Sequence, residues 1–169
     1  MNLTVNSSWE TMLKEFHNKY GHLVSNQATL SIPHEVKALR YKLIKEEVEE
    51  TFTAMGFIYS GDNTHEYIED QQDIVEIADG IADSIYVLIG TAVAYGFPIE
   101  RIFLEVHRSN MTKTAAKVEP GQKYGTKTPK GPDFIPPDIK GIIFEPHLQT
   151  QLEILHGGDM GPHNTTEGK

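Results

Sequence analysis

Two apolar helical segments each carry a row of acidic side chains, and this pattern restricts the fold more than any other feature of the chain. The rows are Glu46, Glu47 and Glu50 in the first segment, and Glu76, Asp79 and Asp83 in the second. At about 100° per residue, the first row continues the helix face that begins with Val36, Leu39 and Leu43. We therefore expect its carboxylates to point away from solvent.

The remaining faces of the first segment have ordinary roles. Lys42, Lys45 and Glu49 fall together and form the expected solvated face. An apolar stripe occupies another face, made of Tyr41, Ile44, Val48, Phe52 and Met55. A charge run such as residues 45–50 is often no more than a solvated surface. The alignment of two acidic rows with apolar rows favours a site instead.

The second segment is apolar almost all round, because Asp83 is the single charged residue between Gly80 and Ala94. Such a helix is expected to be buried. Unpaired buried carboxylates cost several kcal/mol each, and no run of arginines elsewhere could neutralise six of them. Divalent cations are the simplest answer, and carboxylate ligands suit Mg²⁺ or Mn²⁺.

Composition restricts the partners and the compartment. Fifteen basic and 24 acidic residues give a net charge of −9, which argues against a nucleic-acid or anionic membrane surface. The absence of cysteine excludes disulfides and thiolate chemistry and fits a reducing compartment. The N-terminus lacks a signal-peptide pattern, and the longest apolar stretch, residues 84–95, is too short to cross a bilayer. We expect a cytoplasmic protein.

Start and stop signals predict four helices and no core strand. Their expected ranges are residues 8–20 after a Ser7-x-x-Glu10 capping box, 33–55, 70–95 and 98–111. Gly21, Gly56 and Gly96 follow three of them as helix ends. Residues 56–69 read as a loop.

The chain after the fourth helix changes character. Residues 112–145 are rich in lysine, glycine and proline, and the prolines force residues 130–138 to run extended as an arm. We expect one domain, residues 1–145, that includes this arm. Residues 146–169 are polar and glycine-rich, so we expect a flexible tail.

Taken in order, these residues resemble a family. Glu46-Glu-Val-Glu-Glu50 and Glu76-Ile-Ala-Asp79 resemble the EExxE and ExxD signature of MazG-like all-α nucleoside triphosphate pyrophosphohydrolases. Further segments resemble a branch common in phages and bacteria: residues 15–17, 40–47, 77–86, 90–96 and 107–113. The resemblance covers roughly residues 9–139 and implies a four-helix core.

The resemblance implies hydrolysis of a nucleoside triphosphate to a monophosphate and pyrophosphate, with two or three Mg²⁺ or Mn²⁺ ions. By position, it makes metal ligands of Glu46, Glu47, Glu50, Glu76 and Asp79. In the family, a tyrosine-containing run follows the aspartate ligand, and here such a run follows Asp83. Asp83 is therefore a second candidate for the aspartate ligand, in addition to Asp79. Asn110 and Lys113 would contact substrate phosphate or sugar, although an ordinary helix end explains them nearly as well. The phage branch points to a purine such as dGTP or GTP.

Two assignments concern chemistry. A metal-activated water can attack phosphorus without a nucleophilic side chain, and Glu47 or Glu50 could take its proton. Glu46 belongs to the same catalytic group. Phe16 and His17 could line a base pocket by stacking, although aromatic residues at helical spacing are more often core.

Three other functions compete with this reading. A di-iron carboxylate bundle requires Glu-x-x-His pairs, and none of the candidate glutamates has one. A phosphoribosyl-ATP pyrophosphohydrolase would break a similar bond. A non-enzymatic helical adaptor would use the acids to bind a basic partner. The apolar third helix favours a homodimer or homotetramer.

Overall fold

A computed structural model describes residues 8–59, 65–114 and 127–144, and within them the chain is almost entirely helical. Five helices occur, α1 (Trp9–Tyr20), α2 (His34–Ala54), α3 (Ile74–Tyr95), α4 (Ile99–Asn110) and α5 (Ile139–Phe144). Between α2 and α3 lie strands β1 (Phe57–Tyr59) and β2 (His65–Tyr67) and a 3₁₀ turn (Glu69–Gln71). The all-α prediction is confirmed, and the predicted tail lies outside the described residues.

The helix ends follow the local signals with one correction. Ser8, not Ser7, caps α1, because the Ser8 hydroxyl accepts a hydrogen bond from the Thr11 amide at 3.2 Å. Gly21 and Gly96 adopt left-handed conformations at the ends of α1 and α3, with φ of 72° and 69°. A side chain there would be strained, so glycine fixes where both helices stop.

α2 and α3 pack against each other as an antiparallel pair. Gly80 lies against Thr51 so closely that a Cβ at Gly80 would be 2.6 Å from Thr51 Oγ1 and 3.1 Å from Thr51 Cα. At the other end of the pair, the Arg40 guanidinium lies beside Gly90. Two glycines therefore allow the helices to approach, and together these contacts fix the register between them.

Strands β1 and β2 pair antiparallel within the range 56–69, which the sequence predicted to be a loop. Phe57 pairs with Tyr67 in an antiparallel register, and their ring centroids lie 5.1 Å apart. The Ile68 amide donates to the Gly56 carbonyl at 2.9 Å and continues the pairing. Strands of three residues are too short for a periodicity signal, which explains the error.

The apolar core lies where α1 crosses α3. Leu13, Ile89 and Val93 are buried together, with Met12, Val24 and Ile99 packed around them. The connector between α1 and α2 closes this end of α3. Its Ser25 and Thr29 amides donate to the Val93 and Tyr95 carbonyls at 3.1 and 3.0 Å.

The first half of α3 is exposed in the single chain, contrary to the prediction that the whole helix is buried. Ile74 and Val75 are 83% and 69% exposed, whereas α3 is buried on its inner face from Val87 onward. Helix α1 packs on the later turns of α3, at Tyr86, Ile89 and Val93. In the described part of the chain, α2 covers one side of the earlier turns at Gly80, and the side with Ile74 and Ile81 stays exposed. By length and a mean hydropathy of 1.5, α3 is the one described helix that could cross a membrane, a property that soluble core helices share.

The proline-rich arm packs along α4, but residues 130–138 are not extended throughout as predicted. The chain turns at Pro132 and Asp133, where the Phe134 amide donates to the Gly131 carbonyl at 3.1 Å. The Ser109 hydroxyl donates to the Ile135 carbonyl at 2.8 Å. The arm then enters α5, a short helix that the sequence analysis did not predict.

Glu105 joins α4 to the start of α5. Arg108 donates two hydrogen bonds to the Glu105 carboxylate, at 2.8 and 2.7 Å, and the Asp138 amide donates a third at 2.8 Å. These donors, Arg108 first, hold the pKa of Glu105 at about 2. Because a lowered carboxyl pKa stabilises the folded state, this contribution is complete above pH 4.5 and is lost as the pH falls toward 2.

We predict that Glu105→Gln lowers the free energy of unfolding at pH 7, and that the difference from the wild type narrows as the pH falls from 4.5 toward 2. Urea unfolding at a series of pH values measures this difference. Glu35→Gln, in the exposed first turn of α2, is the control for loss of one carboxylate. A difference that stays constant with pH would contradict the assignment.

Candidate active site

The acidic rows of α2 and α3 approach each other around Glu47. Glu47 is half-buried, and its pKa is raised by burial and then by the charges of Asp83, Glu50, Glu46 and Asp79. Thr51, one turn along α2, donates to the Glu47 carbonyl at 2.7 Å and lies 3.3 Å from the Ser84 hydroxyl. The contact between Thr51 and α3 therefore places Glu47 opposite the Asp83 turn.

The other five carboxylates lie on the exposed side of this helix pair. Glu46, Glu50, Glu76, Asp79 and Asp83 are exposed in the single chain, so the prediction that the first row points away from solvent holds only in part, for Glu47. The reason is that α2 and α3 cover only one side of each other. Within the described residues, no three acidic or histidine side chains already form a compact metal-binding group.

The donor chemistry nonetheless fits a hard divalent cation. The six candidates are all carboxylates, and none of them pairs with a lysine or arginine among the described residues. Lys45, the nearest base in the run, instead pairs with Glu49 on the solvated face at 3.3 Å. Carboxylates facing each other without a counter-charge match the preference of Mg²⁺ and Mn²⁺ for oxygen ligands.

The structure bears on the choice between Asp79 and Asp83. Of the α3 charges that raise the pKa of Glu47, Asp83 acts most strongly and Asp79 least. Both α3 aspartates therefore act on the Glu47 carboxyl, and both stay candidate ligands. Asp79 and Glu76 lie further toward the exposed start of α3.

His17 lies in the core, with 1% of its surface exposed. Its Nδ1 hydrogen bonds with the Leu23 carbonyl at 2.8 Å. Nε2 lies beside Gly90, where an added Cβ would be 3.1 Å away. Burial lowers the pKa of His17, and the neighbouring Arg40 and His22 lower it further. In the described structure, His17 is therefore too buried to stack on a nucleotide base.

Arg40 shares this buried position and lacks a counter-charge among the described residues. It is 6% exposed, and its Nε has no hydrogen-bond partner. Burial lowers the pKa of the guanidinium. Arg40 lies seven residues, or about 10 Å of helix rise, before Glu47, and no ion pair joins the two side chains in the described structure.

Phe16 belongs to an aromatic cluster beside the acidic rows. Its ring centroid lies 5.4 Å from Tyr86 in an edge-on arrangement, 4.7 Å from Tyr20 and 5.8 Å from His22. Tyr86 follows Asp83 by three residues and therefore occupies the next turn of the same α3 face. The sequence analysis did not propose Tyr86 for the site, although its position three residues after Asp83 could have indicated it.

Asn110 and Lys113 lie at the end of α4. Asn110 is exposed, and Lys113 is half-buried in the turn that follows. Neither side chain hydrogen-bonds to another described residue.

A small cavity of about 130 Å³ lies elsewhere, between the start of α1 and the end of α3. Its lining includes Glu10, Lys14 and Gly96. It shares no residue with the acidic rows, so we assign it no part in their chemistry.

Comparison with known proteins identifies the family. The phosphoribosyl-ATP pyrophosphohydrolase (PRA-PH) family model matches residues 13–110, which include α2, α3, all six carboxylates and Asn110. No curated protein sequence matches the chain. The resemblance to MazG-like enzymes lies within the same superfamily and is confirmed at that level. The chain therefore belongs to the phosphoribosyl-ATP pyrophosphohydrolase family, whose activity is that of a pyrophosphohydrolase acting on nucleotides.

Proposed function

We propose that this protein hydrolyses a nucleoside or deoxynucleoside triphosphate between the α and β phosphates, releasing the monophosphate and pyrophosphate. The observation that carries the proposal is the half-buried Glu47 of α2, which faces the Asp83 turn of α3 through the Thr51–Ser84 contact and has no basic partner among the described residues. Acidic side chains of both helices raise its pKa further after burial. A site of this charge excludes free phosphates and accepts them only when cations offset the repulsion. Metal-dependent hydrolysis is the chemistry that uses such a site.

The carboxylates of both helices would hold the cations. Glu47 and Asp83 are the central pair, and Glu46, Glu50, Asp79 and Glu76 are available around them. When bound there, Mg²⁺ or Mn²⁺ would offset phosphate charge and lower the pKa of an attacking water. The proton of that water would go to Glu47 or Glu50, whichever keeps a carboxylate oxygen that is not bound to a cation.

Substrate groups outside the reacting bond would contact neighbouring elements. Asn110 and Lys113, whose side chains bond to no other described residue, would hydrogen-bond to phosphate or sugar oxygens. Phe16 and Tyr86 offer ring surface for the base one turn from Asp83, and stacking contributes about 1–3 kcal/mol per base. Because His17 is buried in the core, we propose Tyr86 in its place as the second ring of the base pocket. A purine such as dGTP or GTP, in a phage nucleotide-pool role, remains our proposal for the substrate.

The family match favours one alternative substrate, phosphoribosyl-ATP, because the family model carries that name. The bond broken would again join the α and β phosphates. An additional ribose phosphate on the adenine ring distinguishes this substrate from a plain triphosphate. The two candidates can therefore be compared in one assay.

We also propose that a second copy of the chain covers the exposed face of α2 and α3. Apolar side chains there are exposed in the single chain, including Tyr41, Ile74, Val75, Ile81 and Leu88. Continuous apolar surface of this kind is typical of an interface. Seven-residue spacing puts Ile74, Ile81 and Leu88 on one side of α3, opposite its acidic row, so a homodimer or homotetramer formed there would leave that row open to substrate.

We predict pyrophosphate release from at least one nucleotide in a panel of NTPs, dNTPs and phosphoribosyl-ATP with Mg²⁺. Pyrophosphate and orthophosphate are measured separately, and EDTA is expected to stop the reaction. Preference for phosphoribosyl-ATP would select the alternative substrate. Orthophosphate alone, or no product from any compound, would refute the proposed reaction.

We predict that Glu47→Gln lowers kcat/KM by about 10²-fold or more, because it removes a charge from the centre of the site. Glu49→Gln is the matched control, since Glu49 belongs to the same run of glutamates but pairs with Lys45 on the solvated face. Its activity is expected to stay within about twofold of the wild type. Equal losses in the two variants, with helical content unchanged by circular dichroism, would contradict the site.

We predict that light scattering in solution gives a mass of at least two chains, that is, at least twice 19.0 kDa. Ile81→Glu, which places a charge on the exposed apolar face, is expected to shift the mass toward one chain. Asn18→Glu, at an exposed position of α1 and therefore outside the face formed by α2 and α3, is the control. A monomeric wild type would exclude the proposed interface.

A further inference from the structure

The turn that follows α4, residues 109–114, is fixed to the arm by buried hydroxyl groups. Ser109 is 2% exposed and donates to the Ile135 carbonyl at 2.8 Å. The Thr112 hydroxyl donates to the Ser109 carbonyl at 2.8 Å and accepts from the Ile135 amide at 2.9 Å. The backbone carbonyl and the backbone amide of Ile135 are thus both hydrogen-bonded to side chains of this turn.

A second contact fixes the far end of the same turn. The Thr114 amide donates to the Pro129 carbonyl at 3.2 Å. Gly131 lies so close that an added Cβ there would be 2.8 Å from Thr114 Cβ. The arm therefore holds the turn at both of its ends.

The residues of this turn that bind the arm lie on both sides of the two proposed substrate contacts. Ser109, Thr112 and Thr114 bind the arm, whereas Asn110 and Lys113 between them make no side-chain hydrogen bond to a described residue. A turn held only by packing would need apolar side chains at the anchoring positions. Hydrogen bonds to Ile135 fix register and direction, because they allow one alignment of arm and turn.

Fixed backbone matters most for a lysine. Its long side chain has many rotamers, and this freedom is lost when the ammonium group binds a phosphate. A backbone that is already ordered adds no further cost, so the ligand binds more tightly. The protein has a net charge of −9, so a single correctly placed cation contributes strongly to the binding of a polyphosphate.

We infer that Ser109 and Thr112 are positioning residues, which anchor the turn to the arm at Ile135 and thereby hold Asn110 and Lys113 for the phosphate chain of the nucleotide. The inference rests on the proposed function, because it assigns these two side chains to phosphate recognition. It gives the arm a role in substrate binding that the acidic rows alone do not suggest. The arm would act through the backbone, without contact between its own side chains and the substrate.

The test compares Thr112→Val with Thr112→Ser in the full-length protein. Valine keeps the shape and removes the hydroxyl, whereas serine restores it. Thr112→Val is expected to raise KM for the preferred nucleotide by about fivefold to tenfold with kcat nearly unchanged, as expected for loss of about 1 kcal/mol of hydrogen bonding. Thr112→Ser is expected to recover most of this loss.

Binding of inorganic tripolyphosphate with Mg²⁺, measured by calorimetry, gives a readout independent of catalysis. Thr112→Val is expected to weaken this binding by a similar factor. The same change in a Lys113→Ala background is expected to have little further effect, because positioning acts through Lys113. Ser109→Ala is the second variant, and urea unfolding confirms that each variant is folded under assay conditions.

Three outcomes would overturn the inference. One is a Thr112→Val enzyme that loses stability but keeps the wild-type KM and tripolyphosphate affinity. Another is a full, additive loss from Thr112→Val when Lys113 is already alanine. A wild type that turns over nucleotides without binding tripolyphosphate would also reject the phosphate role, whereas a wild type that does neither would reject the proposed function itself.

Discussion

The close approach of α2 and α3 at Gly80 is the contact on which the candidate site depends. Thr51 fills the space that the missing side chain of Gly80 leaves, and this sets the spacing of the two helices. One turn away, the same register brings Glu47 toward Asp83. The carboxylates repel each other, so packing elsewhere in the pair must hold them together. The site is therefore a region where the fold tolerates an unfavourable interaction that a bound cation would relieve.

Local signals in the sequence were sufficient to predict the helices. Glycine in the left-handed conformation after α1 and α3 and proline before α2 have steric consequences that do not depend on the rest of the fold. The paired strands β1 and β2 and the helix α5 each contain only a few residues, which depend on pairing or packing with other segments. Such short segments leave no periodic pattern in the sequence. The choice between Ser7 and Ser8 as the cap of α1 was a one-residue ambiguity of the same local kind.

The site was predictable in its residues but less so in its environment. Helical periodicity placed each acidic row on one face, and that inference needs only the rise and turn of a helix. Which faces are covered depends on the partners of each helix, so the burial expected for five of the six carboxylates did not follow. Tertiary contacts also decided that His17 is sealed in the core and that Tyr86 lies beside Phe16. The hydroxyl anchors of the arm are contacts across more than twenty residues, which no local pattern reveals.

The connector between α1 and α2 has a consequence for synthesis of the chain. The Ser25 hydroxyl donates to the Ala94 carbonyl at 2.7 Å across 69 positions of sequence. Gly96 is equally involved, because the backbone of Gln27 lies where its side chain would be. Residues 9–33, which hold α1 and the connector, therefore emerge from the ribosome long before their partner in α3 exists. Helix α1 and its connector must wait for the end of α3, and the last turn of that helix completes the core.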